Sequence, residues 1–318
     1  MPFYAHNAII PMLHRVGVRD HSRITANQNM VVNSIDLYDF ILSARNQGWN
    51  FISLDELVEV LRQKKSNKKV LSLTFDDGYL DNYQQAFPIL CELNVPFCVY
   101  ITSGFLGDKI IPWWYLLEHV LSLGSEFVDL DGKLYNTETL EEQNIAFMSI
   151  RNILMGSFYQ YQRYTSWLDK FSVGFMSGNS GRLFMSWQEL QKLSESDLVT
   201  IGAHTLTHPV LAIIDDTNAY NEIKLSRDIL SSKLNKEIKH FAFPFGGQSE
   251  VSDRDICFAE RIGFSTAVTT NHGGINTGKN IDHFSMPRLF FGPDFHLHSI
   301  QLRLLKHEAK QAIKKLLP

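Results

Sequence analysis

Short apolar runs alternate with longer amphipathic segments along most of this chain, and this alternation limits the folds available to it. The spacing predicts helices at 54–64, 187–195, 217–235 and 253–262, the first two preceded by a serine with a glutamate three residues later. The apolar runs predict strands at 8–13, 50–53, 70–75, 97–101, 198–202, 240–243, 265–269 and 288–291. Apolar strands separated by helices predict a parallel sheet covered by helices. We therefore expect an α/β fold, a distorted (β/α) barrel of seven strands.

The composition is that of a soluble globular protein with a full core, since 44% of the 318 residues are hydrophobic and 20% are charged. A net charge of −4 offers no general attraction to nucleic acid, so we expect no nucleic-acid partner. Cys91, Cys98 and Cys257 form no CxxC spacing, which suits a reducing compartment. The first residues make a poor signal peptide, and no apolar run reaches the roughly 18 residues of a membrane span. We expect a cytoplasmic protein of open oligomeric state.

One segment, at about 104–185, breaks the alternation. It contains "IPWWYLLEHVL" and the aromatic-rich "GSFYQYQRYTSWLDKF". We interpret it as a helical insertion after the fourth predicted strand, on the functional rim of a single domain that spans 1–318. This segment is called the insertion below.

The C-terminal residues 297–318 have the spacing of an amphipathic helix, with apolar side chains on one face and basic side chains elsewhere. This pattern predicts a helix that closes the barrel and leaves its lysines in solvent. The alternative is peripheral contact with the inner face of an anionic membrane.

Two adjacent carboxylates, Asp76 and Asp77, follow directly on a predicted buried strand in "VLSLTFDDGY". An Asp-Gly pair is typical of a solvated turn, and that is the simplest explanation. A nearby cation would offset the repulsion between the two charges. Gly78 lets the chain turn sharply, which frees both side chains from strict strand alternation.

Two histidines, His204 and His208, follow another predicted strand in "IGAHTLTHPV". Their spacing alone carries little weight, because a chain with 12 histidines contains such pairs by chance. Their position is more informative, since the carboxyl ends of barrel strands converge on the face where active sites are built. One carboxylate and two imidazoles suit a divalent metal ion, and a second carboxylate beside it could act as a base.

These stretches resemble a known family. "TFDDGY" and "HTLTH" are similar to the first two motifs of the NodB-homology polysaccharide deacetylases, also called carbohydrate esterase family four, and "FAFPFGG" at 241–247 resembles the third. The resemblance covers 70–102 and most of 185–290. It implies hydrolysis of an amide or ester bond on a barrel fold. It further implies that Asp77, His204 and His208 bind the metal, commonly zinc.

The resemblance also suggests roles for residues around the metal. Asp76 would be the general base, and a backbone N–H near Phe245 would bind the oxyanion. Pro244 and Tyr79 would lie with Phe245 beside the substrate. Trp113 and Trp114 of the insertion could form a platform for sugar rings, although core packing explains at least one of them equally well.

Two features depart from the family pattern. The third motif lacks its usual arginine, and Arg288 in "MPRLFF" is the best candidate to replace it as the residue that orients the base, with an ordinary surface arginine as an equal alternative. The late Leu-x-His motif, which supplies the general acid, is not cleanly present, because Leu297-His298 has the wrong spacing. A branch of the family instead uses a histidine after the first strand. We favour His14 as the acid on that resemblance, with a pKa near the ordinary value for histidine.

The resulting prediction is a metal-dependent hydrolase that removes N-acetyl groups from an N-acetylated sugar, as a polysaccharide, an oligosaccharide or a lipid-linked glycan intermediate. A deformylase or a cyclic-amide hydrolase on the same fold is the alternative within the enzymes. A carbohydrate-binding barrel without catalytic activity is the alternative of another class.

Overall fold

The computed structural model describes residues 6–63, 68–178 and 181–293, and in them a closed barrel of parallel strands is the central feature. Each strand pairs with its neighbours in the chain, and the last pairs with the first. The seven strands are β1 (Pro11–Leu13), β2 (Leu73–Phe75), β3 (Phe97–Ile101), β4 (Val199–Ala203), β5 (His240–Ala242), β6 (Thr266–His272) and β7 (Met286–Phe290). This arrangement confirms the predicted seven-stranded (β/α) barrel.

Helices cover the barrel and build most of the insertion. The α-helices are α1 (Thr25–Gln28), α2 (Ser34–Asn46), α3 (Leu54–Gln63), α4 (Phe87–Glu92), α5 (Trp113–Leu121), α6 (Leu140–Met155), α7 (Phe158–Leu168), α8 (Ser172–Gly178), α9 (Trp187–Ser194), α10 (Asp216–Leu234) and α11 (Asp253–Ile262). The four helices predicted from the sequence are confirmed as α3, α9, α10 and α11. At the start of α9, Ser186 accepts a hydrogen bond from the Glu189 N–H at 3.2 Å, and Glu189 accepts one in return. This reciprocal cap explains why the helix begins where the sequence indicates.

The strand predicted at 50–53 exists as Trp49–Phe51, but it lies outside the barrel. It pairs with Lys69–Leu71, which in turn pairs with Ala8–Ile9 in a separate three-stranded parallel sheet. The runs predicted at 8–13 and 70–75 therefore each serve two sheets. Local patterns do not specify strand partners. The strand at 97–101 is fourth among the predicted strands but third in the barrel, so the insertion follows the third barrel strand.

The insertion has a hydrophobic cluster distinct from that of the barrel. Its helices α5 to α8 pack around buried aromatic side chains such as Phe147, Tyr164 and Phe175. It also contains a hairpin of Glu126–Val128 and Leu134–Asn136, which the sequence analysis did not anticipate. Among the described residues, none of the helices combines the length and apolar character needed to cross a membrane. The predicted helix at 297–318 lies outside the described residues.

Candidate active site

A cavity of about 330 Å³ opens at the carboxyl ends of the barrel strands. The predicted residues that line it are His14, Asp76, Asp77, His204 and His208 from the barrel, Phe245 and Tyr79 beside them, and Trp113 and Trp114 from the insertion. The further lining residues include the polar Asn27, Arg151, Glu250 and Thr270, which sequence reasoning missed. The four loops that carry the predicted chemistry therefore converge on one cavity, as expected for barrel strands.

Asp77, His204 and His208 form a compact set of possible metal ligands, whose ligand atoms all lie within 4.8 Å of one another. The Asp77 Oδ1 atom lies 3.5 Å from His204 Nε2 and 3.3 Å from His208 Nε2. The His204 Nδ1–H donates a hydrogen bond to the Ala242 carbonyl at 2.7 Å, which directs the lone pair of Nε2 towards Asp77. This is the orientation of a metal-binding histidine.

The electrostatics of the three residues also fit a divalent cation. Burial and the neighbouring Asp76 raise the pKa of Asp77 well above its usual range, and burial lowers the pKa of both histidines. The two imidazoles are therefore neutral, as metal ligands must be. Within the described chain the buried Asp77 Oδ1 has no hydrogen-bond donor. An uncompensated buried carboxylate is costly, and a bound cation would relieve that cost.

The backbone of the site is held in conformations that are unusual for residues with a side chain. Asp77, His208 and Thr205 have φ values of 74°, 62° and 63°. Gly78 follows with a φ of 84°, and a Cβ atom there would lie 2.9 Å from the Ile101 Cδ1 atom. Such residues occur where the surrounding structure imposes the conformation, and they concentrate at functional sites.

Glu222 of α10 holds the loop between the two histidines. Its Oε2 atom accepts hydrogen bonds from the backbone N–H groups of Leu206 at 2.9 Å and Thr207 at 2.8 Å. Its Oε1 atom accepts a third from the Thr207 hydroxyl at 2.7 Å. Within the same loop the Thr205 hydroxyl accepts from the His208 N–H at 3.0 Å. These bonds fix the direction from which His208 approaches Asp77.

Asp76 is not among the possible metal ligands and pairs with Arg288 of β7. Two parallel hydrogen bonds of 2.7 Å join the guanidinium to the carboxylate, and Arg288 is 1% exposed. Arg288 also donates to the Thr269 carbonyl at 3.0 Å and the Thr74 hydroxyl at 3.2 Å. Burial alone would raise the pKa of Asp76, but the attraction of Arg288 outweighs it and holds the pKa below its usual range. Arg288 thus occupies the position expected of a residue that orients Asp76.

His14 follows β1 and lines the cavity, as predicted, but its protonation differs from the expectation. Burial lowers the pKa of His14 to about 4, although the charge of Asp76 opposes this shift. The expectation of an ordinary pKa was therefore wrong, because the sequence does not reveal how completely a side chain is desolvated. The imidazole is neutral at pH 7. His298, the other candidate acid, lies outside the described residues.

Phe245 is the central residue of a three-residue turn after β5, closed by a hydrogen bond of 2.6 Å from the Gly246 N–H to the Pro244 carbonyl. Its φ of 59° is typical of a strained turn. The Phe245 carbonyl accepts a hydrogen bond from the Thr270 hydroxyl at 2.7 Å, which ties the turn to β6. Phe245 lines the cavity, whereas Pro244 is buried and does not.

The aromatic residues divide between packing and lining. Trp113 is buried and stacks on Phe147, with a centroid distance of 6.2 Å, inside the insertion. Trp114 is half-buried, and its ring lies against the His208 ring at 5.1 Å. Tyr79 is buried and stacks on Phe184 at 4.8 Å. Trp114 is therefore the tryptophan that offers a face beside the predicted metal site.

Solved structures with the same barrel include a Streptococcus pyogenes deacetylase, PplD, in complex with acetate, with a TM-score of 0.60 and 21% identity. That match covers 93% of this chain and 97% of the other. IcaB from Ammonifex degensii is similar over 91% of this chain and 93% of its own, with a TM-score of 0.59 and 16% identity. At these identities the likeness establishes the fold alone.

Sequence comparison establishes the family as well as the fold. The YxkH protein of Bacillus subtilis (strain 168) is 34% identical over 65 residues, a match that spans 20% of this chain and 23% of that protein. The family model described as polysaccharide deacetylase matches residues 63–264, which include the acidic pair, both histidines and the Phe245 turn. This chain belongs to the polysaccharide deacetylase family.

Proposed function

We propose that the protein is a metal-dependent hydrolase that removes N-acetyl groups from an N-acetylated sugar, in a polysaccharide, an oligosaccharide or a lipid-linked glycan intermediate. Family membership supports the reaction class. The observation that carries the proposal is the division between the two adjacent aspartates. Asp77 faces the two histidines, whereas Asp76 is paired with Arg288, which keeps it ionised. A binding protein has no need for a separate base beside a metal ligand.

Asp77, His204 and His208 would hold the metal ion, which we propose is zinc. When bound, the ion would polarise the acetamide carbonyl and lower the pKa of a water molecule. Asp76 takes a proton from the attacking water, and Arg288 keeps its carboxylate in one orientation. The turn at Phe245 offers a backbone N–H to the oxygen that becomes negative as water adds to the carbonyl carbon.

The leaving nitrogen needs a proton when its bond to the carbonyl carbon breaks, and we propose that His14 supplies it. Burial keeps this imidazole neutral before reaction. Negative charge that develops next to His14 would raise its pKa, because an opposite charge favours the protonated form. His14 would then carry a proton at the stage where it is required. The products are the free amino sugar and acetate.

The test is amine and acetate release from N-acetylglucosamine oligomers by the purified protein, before and after metal removal by a chelator. We expect turnover that is lost on chelation and restored by zinc, with about one metal ion per chain. Formate release from N-formylated sugars, measured in parallel, distinguishes a deformylase. A protein that binds metal but releases no amine from a broad panel of acylated sugars would contradict the proposal and favour the binding barrel.

A further inference from the structure

Arg151 is a cation in the active-site cavity that has no partner in the described part of the protein. It lies on α6 of the insertion, one turn after Phe147, and both side chains line the cavity. It is half-buried, and within the described chain it forms no ion pair and no side-chain hydrogen bond. A half-buried guanidinium facing a cavity is available to a ligand.

Other arginines around the site are neutralised. Arg15 pairs with Asp81 at 2.8 Å, and Arg288 pairs with Asp76. Arg23 donates two hydrogen bonds of 2.9 Å to Glu118, and within the insertion Arg163 and Arg182 pair with Asp131 and Glu189. Each of these arginines therefore forms an ion pair with an aspartate or glutamate of the same chain. Arg151 is the member of this group of arginines that lines the cavity, and no acid of the described chain pairs with it.

The acids of the cavity do not neutralise Arg151 either. Asp76 is already paired with Arg288, and Asp77 faces the two histidines. Glu250, the remaining acid in the lining, accepts a hydrogen bond of 2.7 Å from the Ser249 hydroxyl and lies against Gly247, on the barrel side. The insertion therefore contributes positive charge to its side of the cavity.

We propose that Arg151 binds an anionic group of the substrate, a carboxylate or a phosphate, next to the N-acetylated sugar. The inference rests on the proposed function, since it assumes that this cavity takes the sugar. The planar guanidinium suits both anions, because it can donate two parallel hydrogen bonds to either. The substrate is accordingly an acidic glycan or a sugar phosphate rather than a neutral chain.

The experiment measures binding by calorimetry, so that it does not depend on turnover. The first ligand pair is N-acetylglucosamine 1-phosphate and the neutral methyl glycoside of N-acetylglucosamine. The second is an N-acetylglucosamine disaccharide with glucuronic acid and the same disaccharide with glucose. Each ligand is tested with the wild type, with Arg151→Gln and with Arg163→Gln. The last is a matched control that removes the same charge from the insertion at an arginine already paired with Asp131.

We expect the wild type to bind the charged member of one pair about tenfold or more tightly than the neutral member. Arg151→Gln should remove this preference and leave neutral binding unchanged, whereas Arg163→Gln should keep it. The pair that shows the preference identifies the anion as phosphate or carboxylate. Glutamine is a good helix former, so α6 should persist, and thermal unfolding checks this.

Equal binding of charged and neutral ligands in both pairs, including no binding of either, would overturn the inference. So would a preference that survives in Arg151→Gln or is lost equally in Arg163→Gln. Failure of the proposed function would give a different result. A charge preference that depends on Arg151, combined with no amine release, would support the anion site and contradict the hydrolysis.

Discussion

The barrel and the insertion line the same cavity, but they hold their side chains in different ways. The barrel presents Asp76, Asp77 and His204 from the ends of buried strands. Asp76 is held by its pair with Arg288, Asp77 by a backbone of positive φ, and His204 by its hydrogen bond to the Ala242 carbonyl. The insertion presents Trp114 and Arg151 from helices with a hydrophobic cluster of their own. This difference suggests that the barrel performs the reaction and the insertion selects the substrate.

A buried acid, Glu118, helps to join the two parts. Glu118 of α5 accepts two hydrogen bonds from Arg23, one of 2.8 Å from Asn27 and one of 3.1 Å from the Ile24 N–H. Asn27 also donates to the Trp114 carbonyl at 3.3 Å. The segment after β1 is thereby tied to the helix that carries Trp114. Substitutions on either side of this junction should separate effects on rate from effects on substrate binding.

The largest effect is expected for Asp76→Asn, which removes the proposed base. Loss of a general base lowers kcat by about 10² to 10⁴-fold, whereas metal content should remain because Asp76 is not among the ligands. Asp81→Asn is the control, since it also weakens an aspartate–arginine pair, the partly buried one with Arg15. Kinetics and metal analysis of both variants provide the test. Full activity of Asp76→Asn would refute the role of this residue.

Replacement of Arg288 should move the pH profile. The pair lowers the pKa of Asp76 in the folded state, so its contribution to stability is present above the unfolded pKa of about 4 and is lost as the pH falls through the lower folded pKa. In Arg288→Gln, burial dominates and the pKa of Asp76 rises, so the acidic limb of kcat should move to higher pH. Unpairing the buried carboxylate should also lower the free energy of unfolding by about 3–5 kcal/mol.

Arg288→Lys is the control for this prediction, because it keeps a charge but cannot form the two parallel hydrogen bonds. We expect its acidic limb to lie between those of the wild type and Arg288→Gln. Activity measured from about pH 4 upwards, with unfolding followed over the same range, tests both parts. An acidic limb that stays in place in Arg288→Gln would show that Arg288 acts on stability alone.

The contrast between barrel and insertion also explains which site residues could be predicted from the sequence. Asp76, Asp77, His204 and His208 were identified because each follows a strand in a short continuous stretch. Within such a stretch the spacing between functional residues can be read directly. The carboxyl ends of barrel strands also converge on one face, whichever strands pair with each other. Arg288, far along the chain, could be proposed because the third motif lacks its arginine and Arg288 stands at the last predicted strand.

Other features depend on distant contacts and left no local signal. Arg151 and Glu250 have no motif around them, and they become lining residues only when α6 and the loop after β5 meet. The pKa of His14 depends on its burial by other segments. The strand Trp49–Phe51 has the local pattern of a barrel strand, yet its partner is Lys69–Leu71.

A smaller effect is expected for Glu222→Gln, which changes the support of the histidine loop. Glutamine keeps the size of the side chain but removes its charge, so the hydrogen bonds from Leu206 and Thr207 lose their charge assistance, and its NH₂ group can accept none of them. Loss of an outer partner weakens metal binding by about 10 to 100-fold. Asp228→Asn, on the same helix but in ion pairs at the surface, is the control. Competition with a chelator measures metal affinity, and wild-type affinity in Glu222→Gln would contradict the proposed support.

The smallest effect is expected in the insertion, where Trp114→Ala should raise KM and change kcat little. Its ring lies beside His208 and Phe245, at centroid distances of 5.1 and 6.2 Å, and removes solvent from one side of the cavity. An aromatic contact contributes about 0.5–1.5 kcal/mol beyond the area it buries, so its loss corresponds to a KM about two to tenfold higher in Trp114→Ala.

Trp114→Phe keeps an aromatic face, and its KM should lie closer to that of the wild type. Trp167→Phe, which packs inside the insertion against Phe171, controls for general loosening of this segment. If Trp114→Ala instead lowers kcat and metal content with KM unchanged, the insertion shapes the metal site through His208, and the separation between a reacting barrel and a selecting insertion does not hold.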